Sequence, residues 1–407
     1  MNQLNPEQKQ AAEAPLTPLL IVAGAGTGKT RTLLARLLFL INSGIPPENI
    51  LALTFTNKAA KEMRERLDAS LSGLKIKPLA VSIAEPPVVS IAEPFVGTFH
   101  SFGARALRLD AKHLGRTQDF VIFDDHDSFD LVKKLIKEFG FSIKEQKPSE
   151  FIRYISKIKN AMASENKAEL PAGVGRGTAK EFYSRYEESL AHHNAFDFDD
   201  LLQKVVVLWK ENPEILQKYK NKYAHILVDE YQDLNNMQYE FLRLLSGESG
   251  NLSVVGDAAQ TIYTWRGSNI NIFLNFEKDW KGARVALLGE NYRSSSNIIN
   301  AASGVLFGEK FLSPNLKYKL WTRNPAGEKV KMLEAESEEK EARWIAEKIS
   351  KRMSQNAPRQ SIAILYRTNA QSRPLEQALL KRGIAYRVFG GLRFYERSEI
   401  KDILAGL

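Results

Sequence analysis

The sequence predicts an α/β fold in which a parallel sheet carries a phosphate-binding loop, and three observations predict it. Ala23-Gly24-Ala25-Gly26-Thr27-Gly28-Lys29-Thr30 lies between the apolar run Leu19-Leu20-Ile21-Val22 and a helix-like stretch, residues 31–38. That strand–loop–helix context gives a G-x-x-x-x-G-K-T match its weight. Short apolar runs alternate with amphipathic stretches, as at residues 50–55 followed by 57–64, which implies parallel strands joined by right-handed crossovers. Finally, Ile226-Leu227-Val228 ends in Asp229-Glu230, two acids at the carboxyl end of a strand, where open parallel sheets face their ligands.

The loop residues divide the labour of holding a nucleotide. The glycines let the backbone turn tightly and point several N–H groups inward, making a concave anion site. The helix that starts there adds its positive dipole end. Lys29 supplies a mobile charge for the outer phosphates, and the Thr30 hydroxyl is placed to ligate Mg²⁺. Asp229 is suited to hold the same Mg²⁺, while Glu230 can orient or deprotonate the attacking water.

Composition bounds the remaining possibilities. At 407 residues the chain has room for two or three domains with their own cores. It contains no cysteine, which excludes disulfides, thiolate metal sites and cysteine nucleophiles and suits a reducing cytosol, so a cytoplasmic location is expected. The start, Met1-Asn2-Gln3-Leu4-Asn5-Pro6-Glu7, lacks the basic and apolar regions of a signal peptide. No apolar stretch reaches about 18 residues, so no membrane partner is expected. The net charge of +9 permits a polyanionic partner. The cations are spread along the chain, however, so charge alone equally fits a mildly basic soluble protein.

Taken in order, Asn5-Pro6-Glu7-Gln8 reads as a helix start, with Asn5 as N-cap and Pro6 in the first position. Ser43-Gly44-Ile45-Pro46-Pro47 breaks the chain before the strand at 50–55. Residues 81–88, Val-Ser-Ile-Ala-Glu-Pro-Pro-Val, recur almost verbatim at 89–96. Two copies are too few for a solenoid, and the prolines predict an extended surface loop leading into a strand at 95–98. From about 115 to 193 helical periodicity takes over, with helices expected at 127–139, 149–163 and 178–191. Alternation resumes at 199–209 and in strands at 225–228 and 252–255. A further α/β segment from about 289 offers strands at 330–334, 362–366 and 385–389, with helices at 338–353, 374–382 and 398–407.

A third strand, Leu252-Ser253-Val254-Val255, leads into Gly256-Asp257-Ala258-Ala259-Gln260-Thr261-Ile262-Tyr263-Thr264-Trp265-Arg266-Gly267. Gln260 just past a neighbouring strand can bridge the γ-phosphate or its water, and Tyr263 and Trp265 can stack on bases. The residues alone leave a polar turn with core aromatics as a second reading.

These residues resemble the superfamily 1 DNA helicases of the UvrD/Rep/PcrA type, and the resemblance runs along the chain apart from the duplicated loop. It rests on an ordered series: Asn5-Pro6-Glu7-Gln8; the glycine loop; Thr54-Phe55-Thr56-Asn57-Lys58-Ala59-Ala60; Gly97-Thr98-Phe99-His100-Ser101-Phe102; Phe196-Asp197-Phe198-Asp199-Asp200-Leu201; Val228-Asp229-Glu230-Tyr231-Gln232-Asp233; residues 255–267; Asn291-Tyr292-Arg293-Ser294; Leu365-Tyr366-Arg367-Thr368-Asn369-Ala370-Gln371-Ser372-Arg373; and Tyr395-Glu396-Arg397-Ser398-Glu399-Ile400-Lys401-Asp402. The resemblance implies a RecA-like domain 1A at 1–114 and 195–288, a helical domain 1B at 115–194, and the N-terminal half of a RecA-like domain 2A at 289–407.

It also implies roles. ATP and Mg²⁺ would be the cofactors, with Gln8 bonding adenine, Tyr292 stacking on the base and Arg31 beside it. Lys29, Thr30, Asp229 and Glu230 serve phosphates, metal and water; Gln260 reads the γ-phosphate and Arg293 reaches it from domain 2A. Phe55, Phe198, Tyr263 and Trp265 would form stacking pockets for single-stranded DNA, with Asn57 and Arg266 completing the set. Phe55 and Phe198 also fit ordinary core packing, and His100 fits either a DNA-backbone contact or a loop-orienting role.

The implied activity is ATP-dependent 3′→5′ translocation on single-stranded or partial-duplex DNA with unwinding, in repair or replication; no protein partner is indicated. Two further motifs of this family, Thr-x-His-x-x-Lys-Gly-Leu-Glu and a helix bearing a second γ-phosphate arginine, do not occur in these residues. Domain 2A is therefore expected to leave its sheet unclosed, and the chain to bind ATP weakly and hydrolyse it slowly with little unwinding. A nucleotide-regulated single-strand-binding fragment and the motor part of a helicase–nuclease are the competing expectations.

Overall fold

A computed structural model describes residues 4–73, 93–161, 168–247, 250–306, 316, 318–354 and 362–389. The chain divides into two compact units, Met1–Glu328 and Lys329–Leu407. The duplicated loop lies outside the described residues except for its last four, and so do the helix expected at 398–407 and the motif at 395–402.

In the first unit, α1 (Pro6–Ala12) starts as the sequence implies. Asn5 is its N-cap, and the Asn5 and Gln8 side chains accept from each other's backbone N–H. Then follow β1 (Leu19–Ala23), α2 (Lys29–Asn42), β2 (Ile50–Thr54), α3 (Asn57–Gly73), β3 (Phe95–Thr98) and α4 (Phe99–Asp110). An insertion comprises β4 (Val121–Phe123), α5 (Asp125–Glu138), α6 (Pro148–Ala161) and α7 (Arg176–His192) and returns through β5 (Ala195–Asp197). The unit continues with α8 (Asp200–Glu211), α9 (Pro213–Lys222), β6 (His225–Val228), α10 (Asn236–Ser246), β7 (Leu252–Gly256), α11 (Ile270–Leu274), α12 (Phe276–Asp279), β8 (Arg284–Leu288) and α13 (Ser296–Leu306).

Among the described residues six strands form one sheet in the order β3-β2-β6-β7-β1-β8, every pairing parallel. Side chains alternate between its faces. Leu20, Val22, Leu51, Leu53, Ile226, Val228, Leu252 and Val254 pack with α4, α8, α9 and α10. Leu19, Ile21, Ala23, Ile50, Ala52, Leu227 and Val255 pack with α1, α2 and α3. Helices on both faces explain why these strands read as unbroken apolar runs rather than alternating ones. The order also matters for chemistry: β7 separates β1 from β6, so Asp257–Gln260 emerges between the glycine loop and the acidic pair.

The insertion has its own core, in which Leu135 and Ile136 of α5, Phe151 and Ile155 of α6, and Phe182 and Tyr186 of α7 are buried together. Its helices match the periodicity within a few residues. The strand β4, which pairs in parallel with β5, left no sign in that periodicity because three residues are too few to show a period of two.

In the second unit α14 (Glu338–Ser354) and α15 (Ser372–Lys381) form as expected and pack through Ala346, Leu379 and Ile384. The strands expected at 330–334, 362–366 and 385–389 are a correction: none of these segments belongs to a ladder among the described residues. A strand needs a partner to take its N–H and C=O groups, and an apolar pattern cannot supply one. The side chains concerned are correspondingly open, with Met332 99% and Leu365 93% exposed.

Candidate nucleotide and nucleic-acid site

The glycine loop turns through Gly26 (φ +77°) and Gly28 (φ +88°), conformations that a side chain disfavours. Thr27 ties the loop to itself, its hydroxyl donating to Gly24 O at 2.8 Å. Gln8 braces it from α1 by donating to Thr27 O at 2.8 Å. From beyond β8, the Tyr292 N–H donates to Gly26 O at 2.9 Å and the Asn291 amide donates to Ala25 O. Arg293 lies against the same turn: a Cβ placed on Gly26 would come within 2.7 Å of the Arg293 Cβ.

Lys29 begins α2 and reaches two groups from other strands. Its Nζ lies 2.5 Å from Glu230 Oε2 and donates to Gln260 Oε1 at 3.2 Å. The Thr30 hydroxyl donates to Asp229 Oδ2 at 3.3 Å. Lys29, Thr30, Asp229, Glu230 and Gln260, contributed by three separate segments, thus converge at the carboxyl ends of the three neighbouring strands β6, β7 and β1. Glu230 is held there by a left-handed backbone (φ +53°), a conformation that costs a non-glycine residue about 1–2 kcal/mol and persists where surrounding contacts impose it.

Two residues that motif reading did not single out build the rest. Gln232 donates to Glu230 Oε2 at 2.9 Å and to Asp233 Oδ2 at 3.2 Å, and accepts from Asp257 N at 3.0 Å. Asp257 in turn accepts from Gln260 Nε2 at 2.6 Å. Both lie inside the quoted motifs; their spacing from Asp229 and Gln260 was the available signal.

Burial, reinforced by the charge of Glu230, pushes the Asp229 carboxyl up to about 6, and the same two causes raise Asp233 to about 6. The folded chain therefore keeps protons that the unfolded chain, with an ordinary aspartate value near 3.8, releases. Stability contributed by these groups falls as pH rises from about 4 to 6. A cation would relieve that cost. Among the described residues no group of three or more His, Asp or Glu is arranged to hold a metal ion by itself. Thr30 with Asp229 instead fits Mg²⁺, which takes one or two protein oxygens and completes its shell with phosphate and water.

On the base side, Asn5 donates to the Tyr292 hydroxyl at 2.8 Å, and that hydroxyl donates to Glu290 at 2.7 Å. Arg31 is near enough for its charge to act on Tyr292. Gln8 is 1% exposed; its bonds to Thr27 and Asn5 leave one amide N–H and one lone pair, the number that a bidentate contact to adenine uses.

The aromatics fall into two groups. Phe55 and Tyr263 stack with centroids 5.1 Å apart, and Tyr263 meets Trp265 at 6.3 Å. His100 and Phe198 stack at 3.9 Å with planes 22° apart. Trp265 is 71% and Phe198 53% exposed, which separates them from core packing. Burial pushes the His100 imidazole down to about 4, so at pH 7 it is neutral and offers a ring face rather than a charge. Asn57 is exposed at the start of α3; the Arg266 side chain lies outside the described residues.

A parallel sheet with a glycine loop after β1 and an acid pair after β6 defines the RecA-like P-loop NTPase class. Residues 4–281 match the UvrD/REP helicase N-terminal domain and residues 286–407 the UvrD-like helicase C-terminal domain. The ATP-dependent DNA helicase PcrA of Staphylococcus aureus is 40% identical over 409 aligned residues, covering 100% of this chain and 53% of the relative. PcrA of Staphylococcus epidermidis is likewise 40% identical, with 54% of its length covered. The chain belongs to the UvrD/Rep helicase family, and it spans about half the length of the curated relatives it matches.

Proposed function

We propose that this chain is the nucleotide-binding motor portion of a DNA helicase that, as a whole, moves 3′→5′ along single-stranded DNA and opens duplexes in repair or replication. The observation that carries the reading is the convergence of Lys29, Thr30, Asp229, Glu230 and Gln260 within hydrogen-bonding distance. Polarity and the repair or replication setting rest on family membership.

In this mechanism Lys29 exchanges Glu230 for the outer phosphates of ATP, which releases Glu230 to orient the attacking water. Thr30 and Asp229 would hold Mg²⁺, which when bound would supply positive charge against that developing on the phosphoryl group. Gln8 and Tyr292 engage adenine, with Arg31 beside them, and Arg293 stabilises the γ-phosphate. Gln260 bonds Lys29 on one side, and three residues on Tyr263 stacks on Phe55. A shift of Gln260 with phosphate state is thereby passed to the aromatics. Stacking suits such a motor because every base offers a π-face.

The deciding experiment is ATP-dependent strand displacement from a 3′-tailed duplex by the purified chain, with filter binding to single-stranded DNA in parallel and Lys29→Ala as control. Displacement lost in the control supports the motor. Nucleotide-sensitive binding without displacement supports the binding-only reading, and absence of nucleotide binding overturns both.

Two results are expected at the site. Trp265→Ala weakens binding to an oligo-dT by about 5- to 100-fold, one base stack, and does so similarly for mixed sequences. An unchanged oligo-dT affinity would remove Trp265 from the DNA path. Affinity for Mg²⁺-nucleotide falls about tenfold per unit as pH drops below the Asp229 value of about 6, because the cation binds only the ionised carboxyl. A flat titration between pH 5 and 7 contradicts the Thr30–Asp229 assignment.

A further inference from the structure

Lys159 of α6 is 0% exposed, and its ammonium lies 2.7 Å from Asp197 Oδ2, 2.8 Å from Asp200 Oδ1 and 2.7 Å from Glu187 Oε1. Neither the nucleotide chemistry nor the base stacking uses it. Asp197 and Asp200 bracket the turn that presents Phe198, and they already clip it. Asp200 N donates to Asp197 Oδ1 at 2.9 Å, and Asp197 N to Asp200 Oδ2 at 3.2 Å. The remaining oxygen of each carboxylate faces Lys159, so one ammonium fastens both ends of the turn. Ser156, one turn before Lys159, and Asn160, one turn beyond Ser156, hydrogen-bond the Asp199 carboxyl with their side chains. Asn160 Oδ1 also accepts from Asn235 Nδ2 at 3.3 Å, two residues beyond Asp233.

We propose that Lys159, with Ser156 and Asn160, is a positioning device through which the helical insertion holds Phe198 against His100 as a stacking platform for single-stranded DNA. The inference rests on the DNA-stacking reading of Phe198. Three residues of the insertion grip Asp197, Asp199 and Asp200, while Phe198 between them stays exposed. Among the described residues the next cation at this turn is Lys204, whose Nζ is 3.7 Å from Asp200 and pairs with Glu187. Without Lys159, Asp197 would keep the Tyr186 hydroxyl, which donates to its Oδ2 at 3.0 Å, and Asp200 only the more distant Lys204. Two buried carboxylates would then face each other with little compensating charge, and the turn would have to open or take up protons.

The test is a double-mutant cycle in the full chain, combining Lys159→Met with Phe198→Ala. Readouts are anisotropy of a labelled oligo-dT, affinity for a fluorescent ATP analogue, and a thermal melt. Lys159→Met is expected to weaken oligo-dT binding about tenfold, within the range of one stacked base, with ATP-analogue affinity within about twofold. The double variant should bind no more weakly than Phe198→Ala alone, since the lysine acts through that ring. Additive losses, or an equal loss of nucleotide affinity, overturn the positioning role. An unchanged oligo-dT affinity in Phe198→Ala overturns the proposal at its base, by removing the DNA contact itself. If Lys159→Met does not fold, Asn160→Ala runs the same cycle without leaving a buried charge, and a loss of about threefold, absent in the Phe198→Ala background, is the supporting result.

Discussion

Glu230→Gln is expected to slow single-turnover ATP hydrolysis by about 10²- to 10⁴-fold, the range for loss of a positioned general base, while nucleotide affinity stays level or rises. The carboxylate is held at 2.5 Å from Lys29 and 2.9 Å from Gln232. A glutamine oxygen can accept from both, so the local geometry survives. What is lost is the negative charge, with two consequences of opposite sign. No group remains to accept or align the water proton, which removes the chemical step. Lys29 also loses its competing anion, and Asp229 loses the neighbour whose charge helps raise it to about 6. Phosphates and Mg²⁺ are therefore held at least as well. Hydrolysis within threefold of the parent chain would transfer the water-positioning role elsewhere, and Gln260→Ala would be the next variant to measure.

The contrast between what could and could not be read beforehand follows from where the determining interactions lie. Lys29, Thr30, Asp229 and Glu230 were legible because each sits at a strand–loop junction, and the loop chemistry dictates residue types at fixed spacing. Five of the six parallel strands, β1, β2, β3, β6 and β7, were legible for a related reason, since helices cover both faces of the sheet and these strands are mostly apolar. The edge strand β8 was not, because it begins with Arg284 and buries only its last residue, Leu288. Gln232 and Asp257 were visible as letters, but their bond joins the ends of two strands that only the sheet order makes neighbours. The Lys159 cluster spans residues 159–204 and comes together only when α6, α7 and α8 pack; along the chain it reads as ordinary surface charge on amphipathic helices. The segments at 330–334, 362–366 and 385–389 erred in the other direction. Their patterns are strand-like, and pairing, which no local pattern contains, is what they lack.

Arg36 shows the same limit and gives the largest expected effect on stability. In the sequence it is one more cation on the helix after the glycine loop, where a solvated position would be ordinary. In the structure it is 0% exposed. Its guanidinium donates to the carbonyls of Ala12, Ala14 and Pro15, to the last of these at 2.9 Å, and to Ser253 Oγ of β7 at 3.2 Å. No carboxylate forms an ion pair with it among the described residues, and burial pushes its pKa down to about 10, so it stays charged at neutral pH. The partners are the carbonyls at and just beyond the end of α1, which makes Arg36 the clamp that ends this helix against α2 and the sheet. Arg36→Met fills much of the space but takes this donor from the carbonyls of Ala12 and Ala14, while Pro15 O keeps the Thr17 N–H at 2.8 Å. At roughly 1–3 kcal/mol for each of the two unsatisfied groups, offset by the relief of a buried charge, the expected net loss is about 2–4 kcal/mol. The thermal midpoint should fall by on the order of 10 °C. Arg36→Lys should recover little, because a compact ammonium cannot span donors arranged for a planar fork. Since α1 carries Gln8, which braces Thr27 of the loop, nucleotide affinity should fall in step with the loss of stability. A midpoint within 2 °C of the parent would mean that water or the chain ends can satisfy those carbonyls, and that α1 is held by its apolar contacts alone.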